Sequence, residues 1–278
     1  MTDLQFWKMH GVGNDFIVID NREGTVGDLA AAGLSRRLCE RRFSVGADGL
    51  LLLSNSAVAD VRMRVFNADG SQAEMCGNGV RCFAKYCYEN SILRKNVISI
   101  ETLAGIKKTW LTIENGIVKA VKVDMGAPAW ERSAIPMVGS GICANEDLRV
   151  DGQVYKVTCL SVGNPHCVVF VPEVGNFPVD VVGPKIETHN AFPNKTNVEF
   201  VQVLSNNEIK VRVWERGCGE TAACGTGACA SVAAGNVLKK TGERVTVHLT
   251  GGDLNVEYRG CLYMSGPAEK VFEGCLFS

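Results

Sequence analysis

The sequence predicts an α+β protein of two pseudo-symmetric halves. Each half is a strand-rich mixed sheet or barrel around a central helix, and the functional site lies in the cleft between them. Three observations carry this. First, "VRMRVFNADGSQAEMCGNGVRC" (61–82) aligns without a gap to "IKVRVWERGCGETAACGTGACA" (209–230) at an offset of 148, so that Arg64 meets Arg212, Cys76 meets Cys224 and Gly79 meets Gly227. Second, shorter matches keep the same order at nearly the same offset. "GNDFIVID" from Gly13 answers to "GNPHCVVF" from Gly163, "FSVGADGLLLL" from Phe43 to "FPNKTNVEFVQ" from Phe192, and "ISIETLAG" from Ile98 to "VTVHLTGG" from Val245. Third, strand-like and helix-like periodicities mix in each copy without strict βαβ alternation. Two long copies are too few for a solenoid. The halves are read as residues 1–124 and 125–267, with the tail from about 268 to 278 packing back on the first.

The elements of the first half follow in order. "LQFWKMHG" and "DFIVID" read as strands. "DLAAAGLSRRLCERR" reads as a helix opened by Asp28 as N-cap. "GLLLLS" and "VRMRVFN" are strands, the second alternating Val61, Met63 and Val65 on one face. A Gly-rich turn then leads into "GVRCFAKYCYEN", a helix with Val80, Phe83, Ala84 and Cys87 on one stripe. Strands from Val97 and Lys107 close the unit, and residues from about 129 to 152, carrying Pro, Gly and Ser, read as the connection between halves.

The 278 residues suffice for two ordinary domains, and the 46% apolar content supports a substantial core. The formal net charge is −1, with no basic stripe and no aromatic–basic interleaving, which argues against a nucleic-acid partner. No run of eighteen apolar residues occurs and no signal peptide is read at the N-terminus, so no membrane partner is expected. Twelve cysteines without a C-x-x-C pair, and histidines outside zinc-ligand spacing, fit free thiols in a reducing cytoplasm, with no metal. Most of these thiols are expected to be small core residues.

"ERGCGETAACGTGACA" (215–230) holds Cys218, Cys224 and Cys229, and local context does not say which is a reagent. The repeat pairs Cys224 with Cys76, each just ahead of a Gly-rich turn and a helix. A helix N-terminus favours anions and raises a thiol's thiolate fraction. The glycines there allow close backbone approach to a ligand, or serve packing. The G-x-x-x-x-G-K-[ST] and G-x-G-x-x-G phosphate patterns are absent. If the halves face each other, two helix mouths could hold one carboxylate and flank its α-carbon with two thiols, a geometry for moving a proton between faces.

Taken together, "MHGVGNDF", "FNADGSQAEMCGNGVRC", "SVGNPHCV", "TNVEF" and "ERGCGETAACGTGACA" resemble the diaminopimelate epimerases, over almost the whole chain from His10 to Gly266. Proline racemase and hydroxyproline epimerase relatives usually carry His where Asn78 stands. The resemblance implies an isomerase that interconverts LL-2,6-diaminopimelate and its meso isomer for lysine and peptidoglycan precursors, without cofactor or metal, commonly as a homodimer. It implies Cys76 and Cys224 as the acid–base pair. It implies substrate contacts at Asn14, Asn67, Gly77, Asn78, Asn164, Asn197, Glu215, Arg216, Gly225 and Thr226. The planar fork of Arg216 suits the distal carboxylate. Each asparagine also reads as a turn residue, and for Asn67 in "NADG" that reading is as strong as the functional one. His166 and Glu215 are expected to poise the thiols, although a hydrogen-bonded core histidine fits His166 as well. Two positions depart from the family pattern. Cys218 stands where a small apolar residue is common, and is expected to fill the same volume. Gly49 stands where many bacterial members carry Gln.

Overall fold

The computed structural model describes residues 3–277, and of Asp28 and Leu29 the backbone only. The chain divides into two compact units, one running to Val123 and resuming at Ser265, the other spanning Asp124–Met264.

The first unit begins with β1 (Leu4–Gly11) and β2 (Asn14–Asp20), followed by α1 (Asp28–Cys39), β3 (Gly49–Ser54), β4 (Val61–Asn67) and the short β5 (Gln72–Ala73). Helix α2 (Gly77–Glu89) and strands β6 (Val97–Thr102), β7 (Gly105–Glu114) and β8 (Ile117–Gly126) follow. Strands β2 and β3 pair in parallel, as do β4 and β6, while β1–β2, β3–β4, β6–β7 and β7–β8 are antiparallel. Side-chain alternation sends Ile17, Ile19, Leu50 and Leu52 into a cluster with Phe6 of β1 and with Ala31 and Leu38 of α1. The opposite face of the same strands meets α2, whose residues from Gly77 to Cys87 are all buried. Strand β3 is covered on both faces, so it reads as an unbroken apolar run rather than an alternation.

The second unit repeats this connectivity. Its elements are β9 (Glu146–Val150), β10 (Gln153–Ser161), β11 (Pro165–Phe170), α3 (Val179–Glu187), β12 (Asn197–Ser205) and β13 (Glu208–Glu215). They continue with β14 (Gly219–Thr221), α4 (Gly225–Val237), β15 (Arg244–Leu249), β16 (Gly252–Arg259) and β17 (Cys261–Gly266). Again the second and third core strands, β11 and β12, are parallel, as are β13 and β15. The outer face of β11–β13 packs on α3 through Cys167, Val198, Phe200 and Trp214. Gly183 of α3 is required there, because a Cβ would come within 2.6 Å of the Trp214 ring. The inner face receives α4, buried from Ala228 to Gly235 and built of small residues. Strand β18 (Glu269–Leu276) pairs antiparallel with β1 in the first unit, as β9 pairs with β10 in the second.

Several local expectations change. The segment read as a plain connection contains a 3-10 turn at Arg132–Ala134 and strand β9, because the edge of β10 needs a partner. Helix α1 is preceded by Gly27 at the cap position, with Asp28 as its first helical residue; the Asp28 side chain lies outside the described residues. Both central helices start earlier than their apolar stripes imply, at Gly77 and Gly225, which makes the cysteines themselves the caps. The register also shifts. Gly49 pairs with Phe16 as Asn197 pairs with His166, so Asn197, not Val198, is the structural counterpart of Gly49. One residue of slip exchanges the faces of a strand, and Glu199 therefore occupies the position of Leu51.

Candidate active site

In the first unit Cys76 is the N-cap of α2, with extended backbone (φ −137°, ψ 118°). Its Sγ accepts from the Gly79 N–H at 3.5 Å, the bond that a Ser or Asp cap would make. A Cβ on Gly79 would lie 3.3 Å from Leu51 Cδ2 and 3.4 Å from Cys76 Cβ, so glycine allows the thiol to sit this close to the helix. The Cys76 thiol reaches Asn14 Oδ1 at 3.7 Å, and Asn78 Nδ2 donates to the same oxygen at 3.1 Å. Asn14 follows a two-residue turn, Val12–Gly13, in which both residues have positive φ. Its Nδ2 donates to Asp48 Oδ2 at 2.8 Å. Behind it, Asp15 is bound by Arg41 at 2.7 Å and Lys8 at 2.8 Å. Burial acts to raise the Asp15 pKa, but these two cations outweigh it and bring the value down to about 2.

Asn67 stands apart from this cluster. It is exposed, and its Nδ2 donates to Ser71 Oγ at 2.9 Å across a turn in which Gly70 takes a φ of 83°.

In the second unit Cys224 caps α4 in the same way, its Sγ accepting from Gly227 N–H at 3.4 Å. Its surroundings are polar. The Thr226 hydroxyl is 3.5 Å from Sγ, Asn164 Nδ2 donates to that hydroxyl at 3.3 Å, and His166 Nε2 lies 2.9 Å from Asn164 Oδ1. His166 Nδ1 is 2.7 Å from Glu199 Oε1, and both residues are fully buried. Glu215, at the end of β13, accepts from Thr221 Oγ1 and from the Cys224 thiol. Burial pushes the Glu215 carboxyl pKa up, against the pull of those hydrogen bonds and of His166. The Cys224 thiol is pushed well above its ordinary value, first by burial and then by Glu215 and Glu199.

Asn197 has a bracing position. Its Nδ2 donates to the Pro165 carbonyl at 2.8 Å and its Oδ1 accepts from Arg216 N–H at 2.9 Å. The Arg216 side chain is exposed, with Nη1 donating to the Asn194 carbonyl at 3.2 Å. Cys229 is buried within α4. Cys218 is exposed on the β13–β14 turn rather than filling an apolar volume, because flanking Gly217 and Gly219 both take positive φ and turn the chain outward. Sequence reasoning missed Glu199. The available signal was an acid amid the apolar run of "NVEFVQV", a residue that burial on both faces would force to find a partner.

The sequence model of diaminopimelate epimerase matches this chain twice, at residues 6–131 and 158–271. The chain belongs to the diaminopimelate epimerase family. The family match thus falls mainly once on each unit, in keeping with the repeated strand order. The diaminopimelate epimerase of Pelotomaculum thermopropionicum is 55% identical over 274 residues, covering 98% of both chains. That of Moorella thermoacetica is 52% identical over 276 residues, again covering 98% of both. Among solved structures, a hydroxyproline epimerase from Agrobacterium vitis matches with a TM-score of 0.74 at 14% identity, covering 99% of this chain and 92% of its own, a likeness of fold. Among the described residues of this diaminopimelate epimerase family member, no helix is long and apolar enough to cross a membrane.

Proposed function

We propose that this chain interconverts LL-2,6-diaminopimelate and meso-diaminopimelate by two-base proton transfer at the α-carbon, with Cys76 and Cys224 as the bases. The observation that carries the reading is a thiol placed as N-cap of a buried central helix in each unit of a chain of this family. In one direction a thiolate takes the α-hydrogen, forming S–H and breaking C–H. The opposite thiol delivers its hydrogen to the other face, and the two cysteines end with exchanged protonation. No net oxidation occurs.

The α-hydrogen is weakly acidic, so charge developing on the carboxylate needs preorganised donors. The first-turn N–H groups of a helix lack intrahelical acceptors, and the backbones of Gly77, Asn78, Gly225 and Thr226 are assigned that task. His166 and Glu215 are assigned the poising of the thiols, supported by the bond from Cys224 to Glu215. Asn14, Asn67, Asn164, Asn197, Glu215 and Arg216 are assigned to substrate, with the guanidinium of Arg216 on the distal carboxylate. This site would reject acids lacking the distal groups, since its polar atoms would be left unpaired. The reading includes a homodimer in a reducing cytoplasm, supported for the compartment by twelve cysteines held as thiols outside any disulfide.

The test is proton exchange. The protein is incubated with LL-diaminopimelate in D₂O under reducing conditions and the α-proton followed by NMR. Deuterium entry accompanied by the meso isomer is expected. A folded protein with titratable thiols that exchanges neither isomer overturns the assignment, and exchange of hydroxyproline instead would move the reading to the proline-type acids.

A further inference from the structure

We propose that Glu199, acting through His166 and Asn164, fixes the direction in which the Thr226 hydroxyl faces Cys224, and so is a positioning residue for the thiol of the second unit. This rests on the reading that Cys224 moves the α-proton.

Four contacts form one chain: Glu199 Oε1 to His166 Nδ1 at 2.7 Å, His166 Nε2 to Asn164 Oδ1 at 2.9 Å, Asn164 Nδ2 to Thr226 Oγ1 at 3.3 Å, and Thr226 Oγ1 to Cys224 Sγ at 3.5 Å. Both ring nitrogens of His166 face oxygen. With the Asn164 oxygen facing it, Nε2 carries hydrogen, and the Glu199 carboxyl holds the other ring nitrogen, Nδ1, in a hydrogen bond. Asn164 then has its Nδ2 directed at Thr226. The threonine oxygen accepts there, which leaves its own hydrogen free to donate to a thiolate at Cys224.

Without the Glu199 acid the chain can run the other way. A neutral imidazole keeps its hydrogen on one nitrogen. If that is Nδ1, Nε2 becomes an acceptor and Asn164 must turn its amide towards it. The asparagine oxygen then faces Thr226 and takes the hydroxyl hydrogen. The threonine can only accept from Cys224, which favours the protonated thiol.

Glu199 is poorly explained by stability. It is fully buried, and its second oxygen, Oε2, has no hydrogen-bond partner among the described residues, which is costly. Leu51 fills the corresponding place beneath Gly79 of the first unit, so an aliphatic side chain satisfies the packing. The ionisable groups around Glu199 are His166 on β11, Glu215 on β13 and Cys224 on α4; its cross-strand neighbours Val168 and Val213 are apolar.

The test uses the full chain with E199Q, E199L, H166Q and the double variant E199Q/H166Q. Expected for E199Q is a kcat at least about tenfold lower with KM within about threefold of the parent. E199L is expected to fold, carrying the residue of the other unit, and to be comparably slow. The double variant is expected to be no slower than H166Q, because Glu199 acts through that ring. Independently of turnover, ¹⁵N NMR of the His166 ring is expected to show hydrogen on Nε2 in the parent and on Nδ1 in E199Q. Near-parent kcat in both E199Q and E199L, additive losses in the cycle, or an unchanged ring pattern would each overturn the proposal. A parent without turnover whose ring pattern still depends on Glu199 would sink the activity reading and support the relay.

Discussion

The two helix mouths share a backbone and differ in what lies under them. Cys76 and Cys224 cap α2 and α4 with the same bond to the third residue of the helix, at 3.5 and 3.4 Å. Beneath Cys76 the strands present Phe16 and Leu51; beneath Cys224 the same register positions present His166 and Glu199. Pro165 stands where the first unit has Asp15, the centre of a charge cluster with Lys8 and Arg41. Duplicated backbone therefore holds the two thiols alike, while strand residues on the inner face give one an apolar floor and the other a hydrogen-bonded acid–imidazole floor. A repeat fixes placement, and single substitutions at equivalent registers set chemistry.

The sharpest way to break this comparison is to remove each thiol in turn. Cys76→Ala and Cys224→Ala should both lose turnover by about a hundredfold or more, despite their different floors, because the reaction needs an acid and a base on opposite faces. A protein retaining turnover after either change would show that its thiols are not an obligate pair.

The floors come next. His166→Gln should cost about tenfold or more in kcat. Phe16→Leu at the matching register should leave kcat within about twofold, with a stability change near 1 kcal/mol as a conservative core swap. Comparable kinetic losses from the two would erase the asymmetry.

The glycines beneath the caps separate the units by stability. A Cβ on Gly227 would meet Glu199 Oε1 at 2.8 Å and the Cys224 sulfur at 3.3 Å, whereas one on Gly79 would meet a Leu51 methyl at 3.3 Å. Gly227→Ala should therefore cost about 2–3 kcal/mol and Gly79→Ala about 1 kcal/mol, read as urea midpoints.

The smallest effect is on acid stability. The folded Asp15 pKa, about 2, lies below its ordinary 3.8. Its contribution is thus present above pH 3.8 and lost as pH falls towards 2. Allowing for solvent screening of a half-buried group, about 1 kcal/mol is expected. Urea unfolding should show that Asp15→Asn flattens the acid limb between about pH 5 and pH 2. Hydrogen exchange should place the parent's acid loosening in the first unit.

Much of this was legible in the residues. The repeat, the two central helices and the cysteines ahead of them are local patterns. Cap chemistry needs only a side chain and the N–H three residues on. The fine register was not legible, since "GADGLLLL" and "NKTNVEFV" align equally well one residue apart and only strand pairing chooses between them. Nor was strand β9, whose sequence is polar and short and which exists because β10 has an open edge.

By itself, then, the sequence determined the duplicated α+β plan, the pairing of Cys76 with Cys224 and the family, because these depend on periodicity, turn chemistry and motif order along the chain. Tertiary structure decided which face each strand residue presents, and with it the burial of Glu199 against His166 and the Asp15 cluster behind Asn14. The contact of His166 with Glu199 and the bond from the Asp15 N–H to Asp48 each join residues 33 positions apart in the chain. Strand register brings such residues together, and a shift of one residue would have turned Glu199 to the other face.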